Sequence, residues 1–195
     1  LIRQLALPPR LAAMVIRADE DGRGREASQV AVLMTEQGLG GNDIDLDERL
    51  RRFRADRSDR AQASRGLAGR IADSLPNKAS QQPGGSVGQL LLHAYPDRIA
   101  LQRGGKGRYV MANGRGAELP ETERLAGASM LVISDVTGRA ARPRILGAAE
   151  ISRSEVEAEM STAIQSSEEC FLDPASRQVR ARQITRLGAI VFAEK

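Results

Sequence analysis

AYPDRIALQRGGKGRYVMANGRGAEL, residues 94–119, is where the chain changes its period. Upstream of it, apolar residues recur every three or four positions. Downstream, they come in short blocks or alternate. Within it, DRIALQR (97–103) and GRYVMANGRGAEL (107–119) read as strands joined by the glycine-rich loop GGKG at 104–107. Asn113-Gly114 is a candidate turn or bulge. SMLVISDV (129–136) and PRILGAAEIS (143–152) supply further strands, with TGRAAR at 137–142 as a loop. Strands this short and this close together must curl into a small barrel or sandwich.

The residues before this stretch read as helices. Leu11, Met14, Val15 and Ala18 make one apolar stripe, and Pro8 and Pro9 sit at its entrance, where a missing N–H costs nothing. A second helix is expected from Glu26 to Gln37, with Gly38 as a left-handed stop. Asn42 or Asp43 is the expected cap of a third, with Leu46, Leu50 and Phe53 inward. A fourth runs from Ser58 to Leu75. Arginines and acids are interleaved from 43 to 70, which predicts solvated or i,i+4-paired side chains. SLPNKASQQPGG at 74–85 is a linker by composition. Ser86 then caps a short helix carrying Val87, Leu90, Leu91 and Ala94, and Pro96 ends it.

Beyond the strands, one more helix is expected from Glu155 to Gln165. EECFLDPASRQVRARQITRLGAIVFAEK (168–195) reads as a hairpin turning at Asp173-Pro174-Ala175-Ser176. The expected fold class is therefore α+β. A helical domain covers 1–80, a short helix plus a small barrel covers 81–152, and a partial α/β segment covers 153–195.

Composition bounds the function. A chain of 195 residues, 41% apolar and 28% charged, suits one large domain or two small ones. No apolar run approaches the ~18 residues of a membrane span, and no secretory signal is visible, so no membrane partner and a cytoplasmic location are expected. The single Cys170 excludes an internal disulfide, and the single His93 excludes a multi-histidine metal site. Both residues read as packed groups rather than as a nucleophile or a base. The first residue is not Met and the pattern opens midway, which reads as a piece of something longer.

Motifs for catalysis are missing. There is no G-x-x-x-x-G-K-[ST], no H-E-x-x-H and no G-x-S-x-G. GGKG at 104–107 lacks the following Ser or Thr and lies between two strands. No catalytic residue, metal ligand or cofactor is expected in this segment.

Charge points to binding instead. The formal net charge is +4, and residues 97–116 alone hold five basic residues against one acid, an excess equal to that of the whole chain. Exposed charges are screened beyond ~8 Å at physiological salt, so a local block attracts polyanions more than a diffuse charge does. Tyr109 lies within this block as a candidate stacking ring. The alternative is a solvated hairpin with its charges outward. A barrel with basic loops fits the oligonucleotide-binding (OB) fold, whose readers are the strand 2–3 face and the loops after strands 1 and 4. The first such loop holds Lys106 between Arg103 and Arg108. The second holds Arg139 and Arg142, with Arg144 just past it.

Four stretches carry a resemblance: LALPPRLAAM (5–14), AYPDRIALQRG (94–104), GRYVMANGRGAEL (107–119) and VRARQITRLGAIVF (179–192). In this order they resemble the C-terminal half of the bacterial ATP-dependent RNA helicases of the HrpB family, in the DEAH-box/RNA-helicase-A-like group. The resemblance implies a ratchet-like helical domain, an OB-like barrel, and then the start of a family-specific C-terminal region. It implies ATP and magnesium in a helicase core of the same chain, with ratchet and barrel lining the channel for single-stranded RNA, or DNA. The core motifs are absent here, so the resemblance implies a role in an ATP hydrolase and denies this segment the hydrolysis. By charge and position the candidate nucleic-acid residues are Arg98, Arg103, Lys106, Arg108, Tyr109, Asn113, Arg115, Arg139 and Arg142. The rival reading is a protein-interaction or regulatory module that docks on the helicase core or an acidic partner.

Overall fold

The computed structural model describes residues 5–77, 84–138, 143–173 and 177–194. Helix α1 (Pro9–Glu20) buries Leu11, Met14, Val15 and Ala18, as its stripe requires. α2 (Gly24–Thr35) starts and stops two residues earlier than its spacing suggests. Gly38 sits in the following loop at φ 78° rather than at the helix end.

α3 (Leu46–Ala55) buries Leu46, Leu50 and Phe53, but its cap is Asp45 and not Asn42 or Asp43. The Asp45 carboxylate accepts from the N–H groups of Asp47 at 3.1 Å and Glu48 at 3.5 Å. Asp43 accepts from Asp45 N–H at 3.1 Å and so shapes the approach to the helix. α4 (Asp59–Asp73) is capped by Ser58, and α5 (Val87–Ala94) by Ser86. α5 is the joint of the molecule: it packs on α1 at one side and on the sheet at the other. Its apolar residues, Leu90, Leu91 and Leu92 included, are buried, each contributing about 1.5–3 kcal/mol.

Five strands follow: β1 (Ile99–Gln102), β2 (Arg108–Met111), β3 (Gly116–Glu118), β4 (Met130–Val136) and β5 (Ile145–Glu150). The stretch 107–119 is two strands, not one, because the chain turns at Asn113-Gly114, with Gly114 at φ 84°. The order is β3-β2-β1-β4-β5, antiparallel throughout. The sheet curls until its two edges meet, where Glu118 forms a parallel bridge with Arg144 and its N–H donates to Pro143 O at 3.0 Å. Curling leaves β4 with two buried faces: Leu131 and Ile133 point into the curl, while Val132 points at the helices. This explains why MLVIS has no polar alternation.

The helical part is stitched to the barrel. Asp45 makes a parallel bridge to Ala148 on the outer edge of β5, and Ala148 N–H donates to Ile44 O at 2.9 Å. The Asp45 carboxylate also pairs with Arg124, from the 3-10 turn Arg124–Gly127.

α6 (Arg153–Glu159) opens with a Ser152/Glu155 capping box and is shorter than expected. The C-terminal hairpin has a third strand. β6 (Gln165–Asp173), β7 (Gln178–Leu187) and β8 (Ile190–Glu194) form a separate sheet in that order. Positions 174–176 of the expected turn lie outside the described residues. Leu187 and Ile190 are buried in the core, and Ala189 N–H donates to Ala112 O at 2.9 Å. A Cβ at Gly188 would come within 2.2 Å of that carbonyl, so only glycine lets the β7–β8 turn sit there.

Cys170, expected to be packed, is exposed. It lies opposite Ala181, on a strand face shared with Ser166 and Glu168 that covers no core. His93 is half-buried on α5, and burial holds its pKa below the ordinary histidine value. No helix among the described residues is long and apolar enough to cross a membrane.

Candidate nucleic-acid interface

The strand register lines up the basic residues of the barrel. Gln102 and Tyr109 are partners in β1 and β2, and Tyr109 points inward. The next position along each strand therefore points out: Arg103 N–H donates to Arg108 O at 2.9 Å. Arg108 is opposite Glu118 of β3, and Glu118 bridges to Arg144 of the β5 approach. One row across the outer surface thus reads Arg103, Arg108, Glu118, Arg144, with Lys106 above it in the β1–β2 loop.

Arg103, Lys106, Arg108 and Arg144 are exposed, and none has an ion pair among the described residues. The loop bends through Gly104 at φ 77°, Gly105 at φ 135° and Gly107 at φ 77°. A Cβ at Gly107 would strike Leu119 O at 2.4 Å, which presses the loop base against the barrel. Beneath the row lies an open groove of about 310 Å³, lined by Arg103, Gly104, Arg108, Val110, Gly116 and Glu118 among others. A second hollow of about 280 Å³ adjoins it, lined by Leu101, Arg103, Val110, Ala189, Ile190 and Val191.

The other candidate residues part company with this row. Arg98 is half-buried: its guanidinium donates to Ser134 O at 2.7 Å and lies 5.1 Å from the centre of the Tyr95 ring. It ties the start of β1 to β4. Tyr109 is not a stacking ring. It is 2% exposed, its hydroxyl donates to Leu125 O at 2.7 Å and to Ala128 O at 2.9 Å, and burial pushes its pKa up to about 12. Asn113 closes the β2–β3 turn by accepting from Arg115 N–H at 3.0 Å. Arg115 is exposed without an ion pair among the described residues, but at the opposite end of β2 from Arg108. Arg139 and Arg142 lie outside the described residues. The apolar wall of Leu101, Val110 and Val191 had no signal in the sequence, because the contact joins positions ninety residues apart.

GGKG joins two strands instead of opening a helix, and no cluster of three or more metal-ligating side chains exists among the described residues.

The class is thus a helical unit stitched to a curled, basic-rimmed five-stranded sheet, with a three-stranded C-terminal sheet. No family model matches the chain. In sequence it is 28% identical over 184 residues to the ATP-dependent RNA helicase HrpB of Escherichia coli (strain K12), a match covering 93% of this chain and 22% of that protein. In structure it superposes on the crystal structure of the E. coli DExH-box NTPase HrpB with a TM-score of 0.78 and 26% identity, over 100% of this chain and 23% of that one. A second crystal structure, of the Escherichia coli DEAH/RHA helicase HrpB, gives a TM-score of 0.78 at 23% identity, over 98% of this chain and 23% of that one. The chain is homologous to the C-terminal region of HrpB and spans less than a quarter of its length.

Proposed function

We propose that this chain is the accessory C-terminal region of an ATP-dependent RNA helicase of the HrpB type, and that its barrel grips the phosphates of single-stranded RNA. In this reading residues 1–80 act as the ratchet-like domain and residues 81–152 as a short helix with an OB barrel. Residues 153–195 begin the family-specific region. The helicase core of the same protein, in the cytoplasm, binds ATP and magnesium. The observation that carries the reading is the row Arg103, Lys106, Arg108 and Arg144, four exposed cations without ion pairs among the described residues. Arg103 and Arg108 line the groove, and in this reading it lies on the face where OB folds bind oligomers. Guanidinium forks and an ammonium contact phosphate oxygens without reading bases, which suits a sequence-independent channel.

A fluorescence-anisotropy titration of this chain with a labelled oligo-RNA tests the reading. Binding that weakens as salt rises is expected. No measurable binding at low salt, together with retained binding to a helicase core, would move the barrel's role to protein docking.

A further inference from the structure

Leu101 and Val110 are register partners, so they stand side by side on the outer surface of β1 and β2. Both are half-buried. Val191 of β8 faces them across the 280 Å³ hollow and is 39% exposed. Val191 thus stands over an apolar floor of Leu101 and Val110, beside Arg103 and Arg108, which have no ion pair among the described residues. The hollow shares Arg103 and Val110 with the basic groove, so the two are continuous. An occupant that complements both presents anionic charge to Arg103 and Arg108 and an uncharged face to the aliphatic wall. A nucleotide strand alternates those two chemistries. Arg103 serves both, because a guanidinium carries charge at its edge and stacks on a base through its plane.

We infer that the seam between the barrel and the C-terminal sheet is a docking pocket for one unpaired nucleobase. The base lies against Leu101, Val110 and Val191, while its flanking phosphates sit on Arg103 and Arg108. This rests on the nucleic-acid reading above and adds a base contact to it. Leu101, Val110 and Val191 carry no group that hydrogen-bonds a base edge, so this wall takes any base and needs no aromatic ring.

The test compares an RNA hexamer with a ribose-phosphate hexamer of equal charge that lacks its bases. The chain is expected to bind the RNA about fivefold more tightly. Val191→Thr and Val191→Asn, which add no charge, should bring the two affinities within about twofold while leaving the abasic hexamer's own affinity unchanged. Equal affinities for the unmodified chain, or a preference that survives both substitutions, overturn the base pocket and leave phosphate gripping intact. Failure to bind either hexamer overturns the nucleic-acid reading itself.

Discussion

Arg49, Arg51, Arg52, Arg54 and Arg65 of the helical unit and the four cations of the sheet's rim are alike in the sequence and opposite in the structure. On α3, Arg51 and Arg52 both donate to Glu48 at 2.7 Å, and hydrogen bonds from Arg51 and then Arg52 pull that carboxyl down to about 2. Arg54 reaches Glu26 on α2 at 3.0 Å, Arg65 donates to Phe53 O at 2.7 Å, and Arg49 donates to Leu33 O and Leu39 O. Those groups are used within the fold. Arg103, Lys106, Arg108 and Arg144 face solvent, with one carboxylate, Glu118, in their row. Two things occupy the helical set: an acid three or four residues away on the same face, as Glu48 is for Arg51 and Arg52, and tertiary packing that brings Glu26 to Arg54 and backbone carbonyls to Arg49 and Arg65.

The largest effect expected from this contrast is on binding. Replacing Arg103, Lys106 and Arg108 together with alanine should weaken oligo-RNA binding about a hundredfold at 0.1 M salt, at about 0.7 log units per lost contact. Melting should not change, because none of the three has an ion pair among the described residues. A lowered melting temperature would mean these side chains are structural after all.

Next comes the exception within the contrast. Arg124 belongs to the barrel yet pairs with Asp45 of the helical unit, whose side chain is 4% exposed. Asp45→Ala removes that pair and the α3 cap, and urea titration should record a loss of about 2–3 kcal/mol. RNA affinity of the folded fraction should stay as it was. A loss below 0.5 kcal/mol, an order-of-magnitude threshold for one cap alone, would separate the two units.

Tyr109 sharpens the comparison from inside the barrel. Tyr109→Phe takes the phenol donor from Ala128 O and leaves Leu125 O only the Ala128 N–H, and it should cost about 1–3 kcal/mol with no change in RNA affinity. The phenol ionises in the unfolded chain near 10 but in the folded chain only near 12. Its share of stability is therefore complete below pH 10 and lost as the pH rises toward 12. Spectrophotometric titration that finds both tyrosines ionising near pH 10 in the folded chain would contradict the burial.

The smallest effect belongs to the helix surface. Arg51→Ala and Arg54→Ala should each leave the melting temperature nearly unchanged, since both guanidinium groups are exposed and screened by salt. Neither should alter RNA binding. A tenfold loss of affinity from either would place the helical face in the binding site.

Much of this was legible in the residues. The stripe of α1, the Ser86 cap of α5 and the strand-sized apolar blocks gave the α+β order because their signals are local. Arg103, Lys106 and Arg108 were legible as a group because they are adjacent in sequence. Arg98 and Tyr109 looked alike to those three, and their burial was not legible, because it depends on the register that brings Ser134, Leu125 and Ala128 beside them. Asp45 was missed as a cap because Asn42 and Asp43 offer the same chemistry two or three residues earlier. The third C-terminal strand and the wall at Val191 depend on Gly188 fitting against Ala112, a contact across more than seventy residues.

The slope of log affinity against log salt concentration, measured for three proteins with one oligo-RNA, is the most direct test of the contrast. The account predicts a slope shallower by about 2 for the Arg103/Lys106/Arg108 alanine variant, and an unchanged slope for an Arg51/Arg52/Arg54 alanine variant. An unchanged slope in the first protein, or an equal drop in the second, would contradict it.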